Sequence, residues 1–278
     1  MTRKKHICKP SVVSIIFFIV FLAQFHDLPA QIIRSGFTAG VQACWVRLDD
    51  VSFRDTVSIR PVPGFRVGGV LSFKVKDRYF LHTEYVYSQK GKIAKGKLDP
   101  DLYDKATYRY LELPILFTMH FKGKVAKDKD FKWHIGAGPS INYWLGGKGT
   151  LTSGDLIENR IDPFDYTIVF GTRPENTALA RNFYYREVNR LQLGLVAGVG
   201  LILEPADGRA FIIDLRYTFD QSRMGKVWSA DIQTPTDYND NLDARNKSFS
   251  ISICYLFERN LDKKERNKGK SMIKPKQR

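Results

Sequence analysis

The chain has 278 residues, 43% hydrophobic and 13% aromatic, with 44 Lys/Arg against 29 Asp/Glu and a formal charge of +15. From Glu258 onward nine Lys/Arg stand against three acids, so the tail holds much of the excess and the body is only mildly basic, a poor footprint for a nucleic-acid binder. Of three cysteines, Cys8 lies in an N-terminal leader, and the pair left, Cys44 and Cys254, makes no disulfide framework.

The leader comes first. Met1–Lys9 carries Arg3, Lys4, Lys5 and Lys9, Ser11–Ala23 is apolar, and the small Ala30 precedes Gln31. Charge, apolar run and small residue in that order mark residues 1–30 as a cleaved secretory signal peptide. The apolar run, about 13 residues, falls short of the roughly 20 that span a bilayer as a helix. No cysteine directly follows it, so no lipoprotein anchor is expected.

Beyond the leader the recurring signal is alternation of period two, which separates two faces of a strand but scatters around a helix. In FTAGVQACW, Phe37, Ala39, Val41, Ala43 and Trp45 oppose Thr38, Gly40, Gln42 and Cys44. GFRVGGVLSFKV sets Phe65, Val67, Leu71, Phe73 and Val75 against Arg66, Gly68, Ser72 and Lys74. YFLHTEYVYS sets Tyr79, Leu81, Tyr85 and Tyr87 against His82, Glu84 and Ser88. In Tyr108–Phe121 the apolar face runs from Leu111 to Phe121, opposite Tyr110, Glu112, Pro114, Thr118 and His120. Pro114 lacks an N–H for the ladder, so it should mark a bulge or a locally unpaired site.

Four further strands follow. FKWHIGAGPSINYWL opposes Trp133, Ile135, Ala137, Ile141 and Tyr143 to His134, Gly136, Gly138, Ser140 and Asn142. RLQLGLVAGVGLIL opposes a leucine and valine face to Gln192, Gly194, Gly198 and Gly200. AFIIDLRYTFD opposes Phe211, Ile213, Leu215, Tyr217 and Phe219 to Asp214, Arg216, Thr218 and Asp220. KSFSISICYLF opposes Phe249, Ile251, Ile253, Tyr255 and Phe257 to Ser248, Ser250 and Ser252.

Eight strands with charges in the middle of the polar face and aromatics near the ends of the oily face describe an inside-out barrel. The connections 47–61, 76–78, 89–106, 122–130, 147–187, 204–208 and 221–246 alternate long and short. Outer-membrane barrels alternate long outer loops with short periplasmic turns and keep both termini periplasmic. The fold class is therefore all-β, an eight-stranded antiparallel up-and-down transmembrane β-barrel of the outer-membrane type. The expected layout is the leader at 1–30, the barrel at 31–257 and a basic, disordered periplasmic tail at 258–278.

YLELPILF (Tyr110–Phe117), GAGPSINYWL (Gly136–Leu145), LGLVAGVGLIL (Leu193–Leu203), IIDLRYTF (Ile212–Phe219) and the closing SFSISICYLF resemble the PorT-like outer-membrane β-barrels of Bacteroidetes. The resemblance covers nearly all of the mature chain and implies an integral outer-membrane protein of a Gram-negative bacterium. The founding member of that family takes part in a type IX secretion system. The N-terminal segment and the basic tail depart from the founding member.

Three clusters invite chemistry. His82, His120 and His134 point inward on adjacent strands near the periplasmic end, with Glu84 close by. They read as a hydrogen-bonded polar filling or as a transition-metal or proton-linked site. Arg66, Lys74, Glu84, Glu112, Arg190, Asp214 and Arg216 also point inward, where ion pairs filling a narrow lumen are expected. Cys44 and Cys254 fall at opposite heights of the membrane and should be free thiols. DYNDNLD (Asp237–Asp243) spaces oxygens like a calcium loop but has Leu242 where the loop needs glycine, and reads as a solvated outer loop. GGKGT (Gly146–Thr150) lacks the Ser or Thr after its lysine that a phosphate loop requires.

No mature histidine lies near an outer rim and no G-x-S-x-G occurs, so a non-enzymatic barrel is expected, with no catalytic residue and no cofactor. The leading role is a scaffold or anchor in envelope transport or secretion, and the alternatives are a receptor or adhesin using the long loops, or a barrel enzyme. The expected partners are the lipid bilayer with its lipopolysaccharide and, through the basic tail, an envelope or secretion-machinery protein, but no nucleic acid.

Overall fold

A computed structural model describes residues 32–125, 129–161, 163–172, 181–206, 208–226, 230–232 and 240–260. The leader expected at 1–30 and the tail beyond residue 260 lie outside them. Among the described residues no helix is long and apolar enough to cross a membrane.

The chain forms strands β1 (Ile32–Leu48), β2 (Val57–Arg60), β3 (Val62–Lys76), β4 (Tyr79–Gly96), β5 (Tyr103–Val125), β6 (Lys129–Thr152), β7 (Phe164–Phe170), β8 (Asn182–Tyr185), β9 (Leu191–Ala206), β10 (Arg209–Asp220), β11 (Ala230–Ile232) and β12 (Ala244–Asn260). Two short helices, α1 (Val51–Thr56) and α2 (Gly154–Glu158), sit at the outer end. The eight long strands close a ring in the order β1, β3, β4, β5, β6, β9, β10, β12, each antiparallel to its neighbours. Closure is what hydrocarbon demands, because no water is present to satisfy an open edge. The seam is long: β1 and β12 pair from Ile32↔Asn260 to Leu48↔Ala244, three residues past the expected end of the barrel.

The faces divide as the alternation predicts. Phe37, Val41, Leu193, Leu195 and Ile253 are exposed on the outer wall, while Gln42, Arg66, Glu84, Glu112, Asp214 and Arg216 are buried in the lumen. Aromatic contacts gather at the two edges of the apolar belt. Phe121 stacks on Trp133 at 4.4 Å and Phe211 packs tilted against Tyr255 at 4.5 Å near the periplasmic edge, and Trp45 meets Tyr217 at 6.3 Å near the outer edge. The lumen is not wholly polar: Val70, Ile202, Ala210, Ile212 and Leu256 pack into an apolar cluster at its periplasmic end.

At Pro114 the β4–β5 ladder pairs Thr83↔Ile115 and Val86↔Glu112 but nothing between, while the register is unchanged on either side. The proline thus leaves a local gap in pairing, not a bulge. A bulge does occur between Arg109 and Tyr110, opposite Gly146, whose φ of +145° suits glycine. It reverses the facing of β6. Below it Asn142 and Trp144 point inward; above it Leu151 points inward and Lys148 outward.

The long connections are far more ordered than loops. β4, β5 and β6 continue past the belt, and β7 and β8 extend the sheet from β6. Trp144, Leu151, Leu156, Phe164, Phe183 and Tyr185 form the main apolar core in this outer cap, with Met224 and Leu242 from the last connection. Where a solvated loop was expected, Asp240, Asn241 and Leu242 are buried. The segment turns inward because its leucine completes the apolar core and Asp240 meets a buried lysine, Lys92.

Trp144 is fully buried and contacts the rings of Tyr108, Tyr110, Phe170 and Tyr185. Trp144→Ala should therefore cost about 3–5 kcal/mol in denaturant unfolding from detergent. It should also open the cap to protease added to whole cells. Leu98→Ala, at an exposed tip, should change neither reading.

Candidate functional site

The lumen holds a column of ion pairs, which starts from a choice of residues on four strands. Glu84 (β4) is completely buried and receives Arg66 (β3) at 2.9 Å on one oxygen and Arg216 (β10) at 2.8 Å on the other. Arg216 also binds Asp214 at 2.7 Å, and His134 (β6) meets the other Asp214 oxygen at 3.0 Å. His82 Nε2 lies 3.1 Å from Glu84. β9 makes room for this cluster: a Cβ at Gly200 would fall 2.3 Å from Asp214 and His134 atoms, and one at Gly198 2.8 Å from Arg216. The glycine-rich face read in the sequence is thus the space the ion pairs occupy.

Toward the outside, Lys90 lies 2.7 Å from Glu112 and 3.3 Å from Asp220, with Asn142 donating to Asp220 at 2.7 Å. Asn246, Tyr110 and Gln192 complete this level by hydrogen bonds to one another. Above it, at the base of the cap, Lys92 pairs with both Asp104 and Asp240. The hydroxyls of Tyr166 and Tyr185 donate to Asp104 and Asp240 at 2.6 and 2.7 Å. Burial first, and then the carboxylates beside them, push both phenols well above their ordinary range.

The three histidines do not converge on one point. His82 belongs to Glu84 and His134 to Asp214, while His120 stacks on Phe80 at 4.1 Å and lies 5.5 Å from the His134 ring. Among the described residues the donors that do meet are His82, Glu84 and Cys254, within 4.8 Å of one another. Both Glu84 oxygens already hold guanidinium groups, and two such cations oppose a third charge at the same place. This donor set does not suit a divalent metal.

Lys74 and Arg190 stay outside the column. Lys74 is half-buried at the periplasmic mouth, and Arg190 lies at the outer rim with its guanidinium 4.7 Å from the rings of Tyr143 and Phe170. Lys90, Lys92, Asp104, Asp220 and Asp240 carry two levels of the column that sequence reasoning did not assign. Asp220 alone had a period-two signal, as the last polar position of its strand. The cysteines are free, as expected; Cys254 pairs opposite Thr38 and Cys44 opposite Ser248, six residues away along β1.

The periplasmic mouth is charged differently. A depression of about 580 Å³ is lined by Arg34, Lys74, Arg78, Lys122 and Lys132 around Phe80, His120 and Phe121, with Asp77 and Glu204 as its acids. Arg34 is committed to Glu258 and Glu204, and Lys132 to Glu204. Among the described residues no ion pair engages Lys74, Arg78 or Lys122.

Residues 23–219 match the family model described as an outer membrane protein beta-barrel domain. Among solved structures the chain is similar to the outer membrane protein OprG of Pseudomonas aeruginosa, at 14% identity over 82% of this chain and 95% of that one, with a TM-score of 0.47. It is also similar to Ail, the attachment invasion locus protein of Yersinia pestis, at 12% identity over 81% and 99%, TM-score 0.33. A third is the outer membrane protease OmpT of Escherichia coli, at 8% identity over 83% and 97%, TM-score 0.30. No curated protein sequence matches it.

Glu84→Gln leaves two buried guanidinium groups short of their carboxylate and should cost about 3–5 kcal/mol in unfolding. Adding Arg66→Met to that variant should recover part of the loss. The cap should respond to alkali. Its tyrosines stay neutral when folded but ionise near pH 10 when exposed, so cap stability is full below about pH 10 and falls as pH rises past it. Tyrosinate absorbance and protease sensitivity of the cap should rise together there.

Proposed function

We propose, from the fact that this chain belongs to the outer membrane protein beta-barrel domain family, that it is a non-enzymatic scaffold anchoring an envelope transport or secretion assembly from the periplasmic side. The observation that carries this reading is the periplasmic mouth, where Lys74, Arg78 and Lys122 surround an aromatic-lined depression without carboxylate partners among the described residues. β12 ends at this same mouth, and residues 261–278 add eight Lys/Arg against two acids. Cations with no ion-pair partner among the described residues suit an acidic partner surface, and long-range steering favours such an encounter. The resemblance to PorT-like barrels supports a secretion setting of the type IX kind. Export by cleavage near Ala30 is part of the same proposal.

A second reading, surface binding by the cap, is favoured by apolar side chains at its tips: Val51, Leu98 and Ile157 are 57%, 81% and 46% exposed. The two readings separate by which end is altered. Deleting residues 261–278 together with Lys74→Gln, Arg78→Gln and Lys122→Gln should abolish the secretion or assembly output of intact cells while the barrel still inserts. Leu98→Ser with Ile157→Ser should leave that output intact. Secretion unchanged by the first set, with binding to surfaces lost in the second, would overturn the scaffold reading.

A further inference from the structure

We infer that the outer ends of β5, β6 and β7 form a binding site for a phosphorylated glycolipid of the outer leaflet. The strand faces that meet lipid carry Leu111, Leu113 and Phe117 on β5 and Ile141, Tyr143 and Leu145 on β6. Directly above them, on the same outward face, the chemistry changes. Arg109 follows Leu111 on β5, then Thr107 and Lys105. Across the ladder Thr107 pairs with Lys148 and Lys148 with Thr167, while Lys105 pairs with Thr150 and Thr150 with Asp165. The result is a grid of cations and hydroxyls three strands wide, continuous with the hydrocarbon-facing belt.

This grid is concave. A depression of about 550 Å³ is lined by Lys105, Thr107, Lys148, Thr150, Thr167 and Arg181. Its acid, Asp165, accepts a hydrogen bond from Thr150 at 2.7 Å. Lys105, Lys148 and Arg181 enter no ion pair with a described residue. Arg190 adds a cation over the Tyr143 ring at the edge of the belt. The Gly146 bulge is essential to the site, since without it Lys148 would face the cap core and not the depression.

The position selects the ligand. Acyl chains lie against the leucine and tyrosine belt, phosphates fall between the levels of Arg109 and Lys105, and sugar hydroxyls reach the threonines interleaved with these cations. From Arg109 to Lys105 is about 13 Å along the strand. That is more than one phosphate fills, and it fits a bisphosphorylated sugar headgroup.

The test uses the full-length barrel in zwitterionic detergent with bisphosphorylated lipid A as the probe. Lys105→Gln, Lys148→Gln and Arg181→Gln together should weaken binding roughly 100-fold, since each surface cation contributes about a factor of five. Lys105→Arg with Lys148→Arg should retain it, which separates lost charge from a disturbed cap. The same number of charges removed at Lys74, Arg78 and Lys122 should leave lipid A binding unchanged. Equal binding by wild type and triple variant overturns the inference. So does competition by inorganic pyrophosphate at lipid A concentrations, which marks a free-phosphate site, or tighter binding of polyglutamate, which marks a protein site.

Discussion

The Glu84 carboxylate held between Arg66 and Arg216 is the interaction on which the barrel interior depends. A ring of eight strands encloses little more than its own side chains, so whatever points inward must fill the space and satisfy its own charge. Three strands supply this trio and two more supply its neighbours, which ties β3, β4, β6, β10 and β12 together across the lumen. Backbone pairing alone closes the ring but fixes no distance across it. The cross-lumen pairs do, and they explain why β9, which faces them, carries glycine at 194, 198 and 200.

A filled middle moves function to the ends, and the ends are built on different physics. The outer cap has an apolar core of its own, roofed by β7 and β8 and floored by the Lys92 level of the column. Its stiffness comes from burial of large aromatic rings, each worth several kcal/mol. The periplasmic mouth has only a small apolar cluster beneath it and leaves three cations facing the water. One end is closed by an apolar core and the other presents its charges to water.

Strand identity and facing were legible from residues such as Phe37, Leu193 and Ile251, because lipid outside and charge inside give period two its sharpest contrast. The contrast fades where the strands leave the bilayer. Gln89, Thr107 and Lys105 face outward and are as polar as Lys90, Lys92 and Asp104 facing inward, so the continuation of β4 and β5 read as a loop. The parity change at Gly146 hid Lys148 and Leu151 for a second reason, a backbone shift that no side-chain pattern announces. Ile202 and Ile212 were obscured by the opposite error, since apolar residues inside a membrane barrel break the inside-out rule locally. The histidines were placed at the right height, but their partners decide their chemistry, and partners come from strands far apart in sequence.

The distribution of charge ties these observations to one another. The column sets four cations, Arg66, Arg216, Lys90 and Lys92, against six acids, Glu84, Asp214, Glu112, Asp220, Asp104 and Asp240, so it supplies none of the excess in the chain's formal +15 and lowers it by two. The excess comes from residues outside the column, and among the described residues Lys74, Arg78 and Lys122 lie at one water-facing edge of the apolar belt and Lys105, Lys148 and Arg181 at the other. Exterior cations are screened within about 8 Å at physiological salt, whereas the buried pairs are screened far less. Raising the salt should therefore weaken the binding proposed for the two rims while leaving the barrel itself as stable as before. The architecture separates the charges that hold the protein together from those available to hold something else.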